Sequence, residues 1–286
     1  MTVPGHTRST RGPACHRAGP FVLCAALLSL VPASGAAADR AFEVAASAGL
    51  RHVRYEEWGP YGDTLDTEDG WIPSFGVRAR GRVWRLVGEL SGRLARGDLT
   101  YEGLVQSLGW VRSTSGARYL DGAAQVGAVV DPWGRLTLLV GATARRWDRD
   151  IHASTLASGG STTPVRGLSE VYSWYELEAA ARATLVATPR LAWLAEVRVL
   201  RTVSPYLSVD WNGTDIGLSL GPRTGWGAET ELQLTLRPGL FVSAGAAIER
   251  LGFGASGLVP AGRTWINEPE SQTWNVRVNV GVGARF

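Results

Sequence analysis

Trp274-Asn-Val-Arg-Val-Asn-Val-Gly-Val-Gly-Ala-Arg-Phe286 ends the chain, and its two-residue alternation runs for 13 residues without a break. Trp274, Val276, Val278, Val280, Val282, Ala284 and Phe286 share one face, and Asn275, Arg277, Asn279, Gly281, Gly283 and Arg285 share the other. Successive side chains of a strand point to opposite sides, so this segment is a strand whose two faces meet different surroundings. The same alternation places strands at about 40–55, 72–82, 83–101, 118–130, 135–149, 169–186, 190–203, 213–236 and 239–253, besides 272–286. Their connections alternate in length. Short ones hold turn residues, as in Asp131-Pro-Trp-Gly134 and Arg237-Pro-Gly239; long ones fall near 56–71, 102–117, 150–168, 204–212 and 254–271.

The polar face carries ions: Arg51, Arg78, Arg80, Arg85, Arg93, Arg145, Arg182, Arg198, Arg277 and Arg285 against Glu43, Glu89, Glu176, Glu178, Glu196, Glu229, Glu231 and Glu249. The apolar face is Leu, Val and Ala. Phe42, Trp84, Trp193 and Phe286 bracket it near the short turns, and Tyr175, Trp226 and Trp274 toward the long loops. An even strand number, short turns, long loops and aromatic brackets describe an all-β fold. It is a single transmembrane antiparallel up-and-down β-barrel of about ten strands, with eight and twelve as neighbouring counts. A secreted lipocalin-type barrel, apolar inward, is disfavoured by the strand length and the brackets.

Ahead of the barrel, residues 1–38 have the anatomy of a cleaved signal peptide. Arg8, Arg11 and Arg17 precede the apolar run Phe21–Val31, and small residues lead to Ala38. Eleven apolar residues are too few to span a bilayer, which needs roughly 20. The barrel domain is then 39–286. All 29 basic residues are Arg, and three lie in the leader, leaving 26 Arg against 26 Asp and Glu. The basic pI therefore belongs to the leader, and no nucleic-acid partner is expected. Cys15 and Cys24 also lie there, so disulfides, Cys metal sites and a Cys nucleophile are excluded from the barrel.

The segment Trp274–Phe286, with its terminal Phe, resembles the last strand of bacterial outer-membrane β-barrel proteins. That resemblance implies recognition by the barrel assembly machinery, insertion in the outer membrane and a monomeric barrel. In strand number and size the chain is similar to the omptins, surface proteases. Barrels of the OmpA and OmpW type are the other neighbours. The omptin resemblance implies an Asp pair facing an Asp–His pair above the barrel. The residues do not supply them: Ser208–Asp215 holds Asp210 and Asp215 without a His, and the second loop region holds Asp98 and Glu102 without an Asp pair.

Among local clusters, Asp148, Asp150 and His152 would share one face of an extended chain and could bind a cation or activate water. A charged strand top is the plainer reading. His52, beside Arg51 and Arg54, reads as a boundary residue. The acidic loop with Asp63, Asp66, Glu68 and Asp69 offers oxygen ligands but lacks the spacing of a calcium loop. No metal site and no cofactor are expected. Opposite charges in a narrow lumen should pair, so a plugged core is expected over a narrow channel or small-solute porin.

The ascending strands lead to a further expectation. Outward parity, followed upward from Phe42, Trp84, Leu136, Leu191 and Leu240, first meets charge at Arg54, Arg96, Arg146, Arg201 and Arg250. The rise is on the order of 25–30 Å, the height of the apolar band. Arg at all five positions, where Asp or Glu would serve a mere boundary equally, suggests a collar for the phosphates of lipopolysaccharide. The expected function is a non-enzymatic envelope protein serving surface binding or membrane integrity. A surface hydrolase or lipid-modifying enzyme of omptin-like architecture is a further alternative.

Overall fold

Strands that separate apolar from polar side chains leave unpaired edges, and closing the sheet on itself removes them. A computed structural model describes residues 40–105, 109–158, 161–211, 213–262 and 264–286; the expected leader lies outside the described residues. Along the chain run β1 (Arg40–Trp58), β2 (Thr64–Val83), β3 (Leu86–Val105), β4 (Gly109–Val129), β5 (Leu136–Ile151), β6 (Ser154–Ser158), β7 (Ser161–Val165) and β8 (Leu168–Ala187). β9 (Leu191–Trp211), β10 (Thr214–Ser219), β11 (Thr224–Arg237), β12 (Leu240–Phe253), β13 (Val259–Ala261), β14 (Thr264–Ile266) and β15 (Glu270–Arg285) complete the order.

Ten of these form a closed antiparallel ring. Its order is β1-β2-β3-β4-β5-β8-β9-β11-β12-β15, and β15 pairs back onto β1 over Glu43↔Arg285 to Trp58↔Glu270. The expected count of ten holds. The remaining pieces decorate the long-loop end: hairpins β6–β7 and β13–β14, and β10, which folds back on the top of β9.

Three expectations are corrected. The strand read as 213–236 is two elements, because Ser219-Leu-Gly-Pro-Arg223 turns a corner. Pro222 cannot donate to a ladder, and Gly221 meets Gly254 through paired backbone bonds of 2.8 and 3.0 Å. The first long loops are mostly strand: β1 and β2 stay paired up to Trp58↔Thr64, and β3 and β4 up to Val105↔Gly109. The barrel wall therefore rises well beyond the apolar band. Finally, the β2–β3 turn is Trp84-Arg85 rather than Arg80-Gly-Arg82, with Trp84 in the left-handed region at φ 55°. Arg85 accordingly sits exposed in the turn, not in the lumen.

Parity is otherwise as read. Below the level of the five outward Arg residues, the outward side chains of the ten strands are Gly, Ala, Val, Leu, Ile, Phe, Trp and Pro, with His52, Thr230 and, at the upper edge, Tyr175 as exceptions. Thr230 Oγ1 accepts from Trp193 Nε1 at 2.7 Å and donates to the Leu194 carbonyl at 3.1 Å, so it brings no unpaired polar group into the apolar wall. His52 stands at the upper boundary against Trp71, ring centroids 4.9 Å apart. A wall of this composition and height is that of a barrel solvated by lipid.

Candidate functional site: the filled bore and the outer collar

Inside the membrane-spanning part, charge is matched by charge. Arg78 reaches Glu231 at 2.6 Å and Glu43 at 3.1 Å. Arg145 reaches Glu249 at 2.5 Å and Glu176 at 3.1 Å. Arg182 bridges Glu196 and Glu89 at 2.6 and 2.9 Å, and Arg80 also holds Glu89 at 2.9 Å. Arg198 joins Glu249, Arg277 and Arg93 share Glu229, Arg285 holds Glu43, and Arg51 holds Asp121 at 3.2 Å. Glu178 instead accepts from Thr143 Oγ1 at 3.2 Å. With Arg85 moved to the turn and Asp121 added, nine guanidinium groups face nine carboxylates in the bore. Asp121 escaped the sequence reading, although its inward parity with Tyr119 and Ala123 was available.

Such packing leaves little room. Two cavities of about 40 Å³ lie between these side chains, space for a few waters each.

Above them the bore turns apolar. Tyr119, Trp147, Tyr172 and Phe253 stack across it with centroid separations of 5.2, 5.0 and 6.0 Å. Tyr55 packs edge-on to Trp147 and Trp174 edge-on to Phe253. Leu99, Leu200, Leu207, Leu218 and Leu251 fill the gaps, all buried. This aromatic floor seals the lumen from the long-loop end.

Arg149 is inserted in the floor. Its guanidinium contacts Glu68 and Glu170 at 2.7 Å, Asp66 at 3.0 Å and Glu57 at 3.5 Å, and lies over the Tyr55 ring at 4.9 Å. Asp66 and Glu68, weak loop candidates set aside for want of calcium spacing, are thus inward partners of Arg149 and not part of a solvated loop. No cluster of His, Asp and Glu suited to a metal occurs among the described residues. These groups lie above the membrane-spanning segments, and burial dominates them. It pushes the Asp66 carboxyl up to about 6, and Glu57 well above its usual range, against the pull of Arg149.

The weak catalytic trio is placed differently from a catalytic centre. Asp148 and Asp150 do share a face, but it is the outer wall: Asp148 pairs with Arg146 at 2.6 Å and Asp150 accepts from Ser169 Oγ at 2.8 Å. His152 follows the end of β5 and lines a cavity of about 310 Å³ with Tyr101, Ser113, Ile151, Leu168 and Asp210. No ion pair joins His152 to Asp148, Asp150 or Asp210 among the described residues. Asp210 and Asp215 face each other across the β9–β10 hairpin, where Asp210 accepts from the Gly213 N–H at 2.7 Å.

On the outside, Arg54, Arg96, Arg146, Arg201 and Arg250 are all exposed at the top of the apolar wall. Between them the descending strands present Trp71, Leu120, Tyr175, Trp226 and Trp274, so cation and aromatic alternate around the barrel with one interruption at Leu120. Arg54 and Trp274 are direct register partners, as are Arg250 and both Trp226 and Trp274. Arg54 is paired to Glu56, Arg250 to Gln272, and Arg201 to Thr224. Arg96 stands directly opposite Arg118, which has Asp148 in register on its other side; neither Arg96 nor Arg118 makes an ion pair among the described residues. Arg118 was missed because outward parity was followed on the ascending strands alone; the descending run Ala124-Gly122-Leu120 leads straight to it.

No family model matches the chain, and no curated protein sequence matches it. Solved structures do. The outer membrane protease OmpT from Escherichia coli superposes with TM-score 0.60 at 8% identity, over 89% of this chain and 99% of that one. The translocator domain of autotransporter NalP from Neisseria meningitidis gives 0.42 at 17% identity, over 93% and 94%. An outer membrane channel from Pseudomonas putida F1 gives 0.38 at 12% identity, over 90% and 100%. The superposition on OmpT, with the closed ten-strand ring, gives the chain the fold of bacterial outer-membrane β-barrel proteins, at a size that fits that protease.

Proposed function

We propose that this protein is a sealed outer-membrane barrel that grips the phosphates of lipopolysaccharide through its outward Arg collar and serves surface binding or envelope integrity. The alternation of Arg on ascending strands with aromatics on descending strands carries this reading. Indole and phenol rings favour the headgroup level, and guanidinium groups hold phosphate oxygens two at a time. Arg96 and Arg118, which make no ion pair among the described residues although Asp148 stands in register with Arg118, are the strongest anion ligands of the set. Export by the leader and insertion by the barrel assembly machinery at Trp274–Phe286 complete the reading.

Replacing Arg96, Arg146, Arg201 and Arg250 by Gln should leave the barrel folded, lower copurified lipopolysaccharide and reduce its protection against heat unfolding. A pair replacement of Arg96 and Arg118 should lose more lipopolysaccharide than one of Arg54 and Arg146, whose guanidinium groups are already engaged by Glu56 and Asp148. Unchanged lipid content and melting in the fourfold variant would reduce the collar to a boundary marker.

One observation favours a second reading, a surface hydrolase: His152, Asp210, Ser113 and Tyr101 share the 310 Å³ cavity at the mouth. Turnover of peptide or lipid substrates that disappears in His152→Ala would support it, and absence of any turnover would remove its motive.

A further inference from the structure

A hairpin arm crosses the long-loop end. Its two sides, 254–262 and 264–269, carry β13 and β14 between irregular stretches at 255–258 and 267–269. Val259 and Ile266 rest on the apolar core of the bore, while Leu258 and Trp265 are exposed. Among the arm's described residues Glu268 is the one charged side chain, and it is buried. Its Oε1 accepts from Tyr172 OH at 2.5 Å and from Tyr55 OH at 3.2 Å. Its backbone ties the root of the arm together: Glu268 N donates to Ser256 Oγ at 2.8 Å, and Ser256 N donates to the Glu268 carbonyl at 2.9 Å.

The carboxyl enters a place already crowded with acid. Tyr55 and Glu57 face it from β1, Asp66 and Glu68 from β2, Arg149 from β5, and Glu170 and Tyr172 from β8. Tyr101 of β3 borders the group beside Arg149. β12 contributes only Leu251 and Phe253. One guanidinium thus serves five carboxyls. Such an excess of buried negative charge is relieved when some of the carboxyls keep their protons.

We propose that Glu268 is a proton-dependent latch: protonated, it holds the arm over the barrel mouth; ionised, it releases the arm and uncovers the aromatic floor of Tyr55, Trp147, Tyr172 and Phe253. The neutral carboxyl accepts from Tyr172 and Tyr55 without repelling its neighbours, whereas the anion, though it keeps those two donors, is buried against the Glu57 and Glu170 carboxyls. Burial, with Glu170 next, pushes Glu268 up to about 7 from an ordinary 4.5. The sign follows from where the proton is held. With the arm open, Glu268 faces water and titrates near its ordinary value. The closed arm is therefore fully favoured below that value and loses about tenfold per pH unit as pH rises toward about 7. The full swing is on the order of 300-fold.

Amide hydrogen exchange on the full chain in detergent micelles, at about pH 5 and about pH 8 and corrected for intrinsic rates, tests the latch. Protection across 254–269 should fall on the order of 100-fold between the two, while the membrane-spanning strands stay unchanged. Glu268→Gln, neutral at every pH, should keep the arm protected at both. Glu57→Gln removes a neighbouring acid, so the closed arm tolerates the Glu268 anion better: the arm should stay protected to higher pH, and its loss of protection between the two pH values should shrink. Equal protection of the natural chain at both pH values would overturn the proposal. So would an undiminished pH response in either Glu268→Gln or Glu57→Gln.

Discussion

Arg149 is the residue on which the upper bore depends. Its partners Glu68, Asp66, Glu57 and Glu170 come from three other strands, and three of them lie more than 80 positions away in the chain. Removing one member of a buried ion cluster leaves the others uncompensated, at about 3–5 kcal/mol. Arg149→Met should therefore lower thermal stability by that order at about pH 8, and by less at about pH 5, where the stranded carboxyls take up protons. A melting temperature equal to that of the natural chain at the higher pH would contradict the role. Sequence parity turned Arg149 inward, but the strand was expected to end there in a solvated top. What could not be read was that β1, β2 and β8 continue alongside and bring four carboxyls to it. The pairs lower in the bore were legible as a class, since Arg and Glu come close to balance over the inward positions of the ring, while the partner of each was not.

At the scale of the element, β15 is both the most legible strand and the one that closes the ring. Phe286 and Phe42 exchange backbone bonds of 2.8 and 3.2 Å, and their rings lie 6.3 Å apart. Deleting Phe286 is expected to reduce assembled barrel in cells much more than it lowers the melting temperature of refolded protein, because the terminal ring is exposed and contributes little packing. Equal recovery of assembled barrel with and without Phe286 would argue against an assembly signal here. Further up the same strand, Gly283 lies under the Phe241 ring, which occupies the space a side chain would need. Gly283→Val should cost about 1–3 kcal/mol by overpacking, read as a lowered unfolding midpoint. Alternation decided these elements because one face meets lipid and the other does not. It failed at Ser219–Arg223, where a corner preserved the apparent period, and at Ser204, whose φ of 48° shifts the register of β9 against β8.

For the whole molecule, the strands enclose three compartments in series: a charge-matched lumen, an aromatic floor and a mouth crossed by the hairpin arm. Ten strands give a bore near the size that side chains alone can fill. The nine-to-nine balance and the residual cavities of about 40 Å³ show that they do. The function proposed from the outer wall, a collar for lipid phosphate, does not require a conducting path. The fold was legible in the alternation, and the charge-filled character of the bore in the near balance of inward Arg and Glu. The aromatic floor was not, because Tyr119, Trp147, Tyr172 and Phe253 sit one to a strand and gather only when the ring closes. Planar-bilayer recording of the purified, refolded protein tests the sealed barrel most directly. The account predicts a flat baseline without unit steps across the usual voltage range, and stable, reproducible steps in current would contradict it.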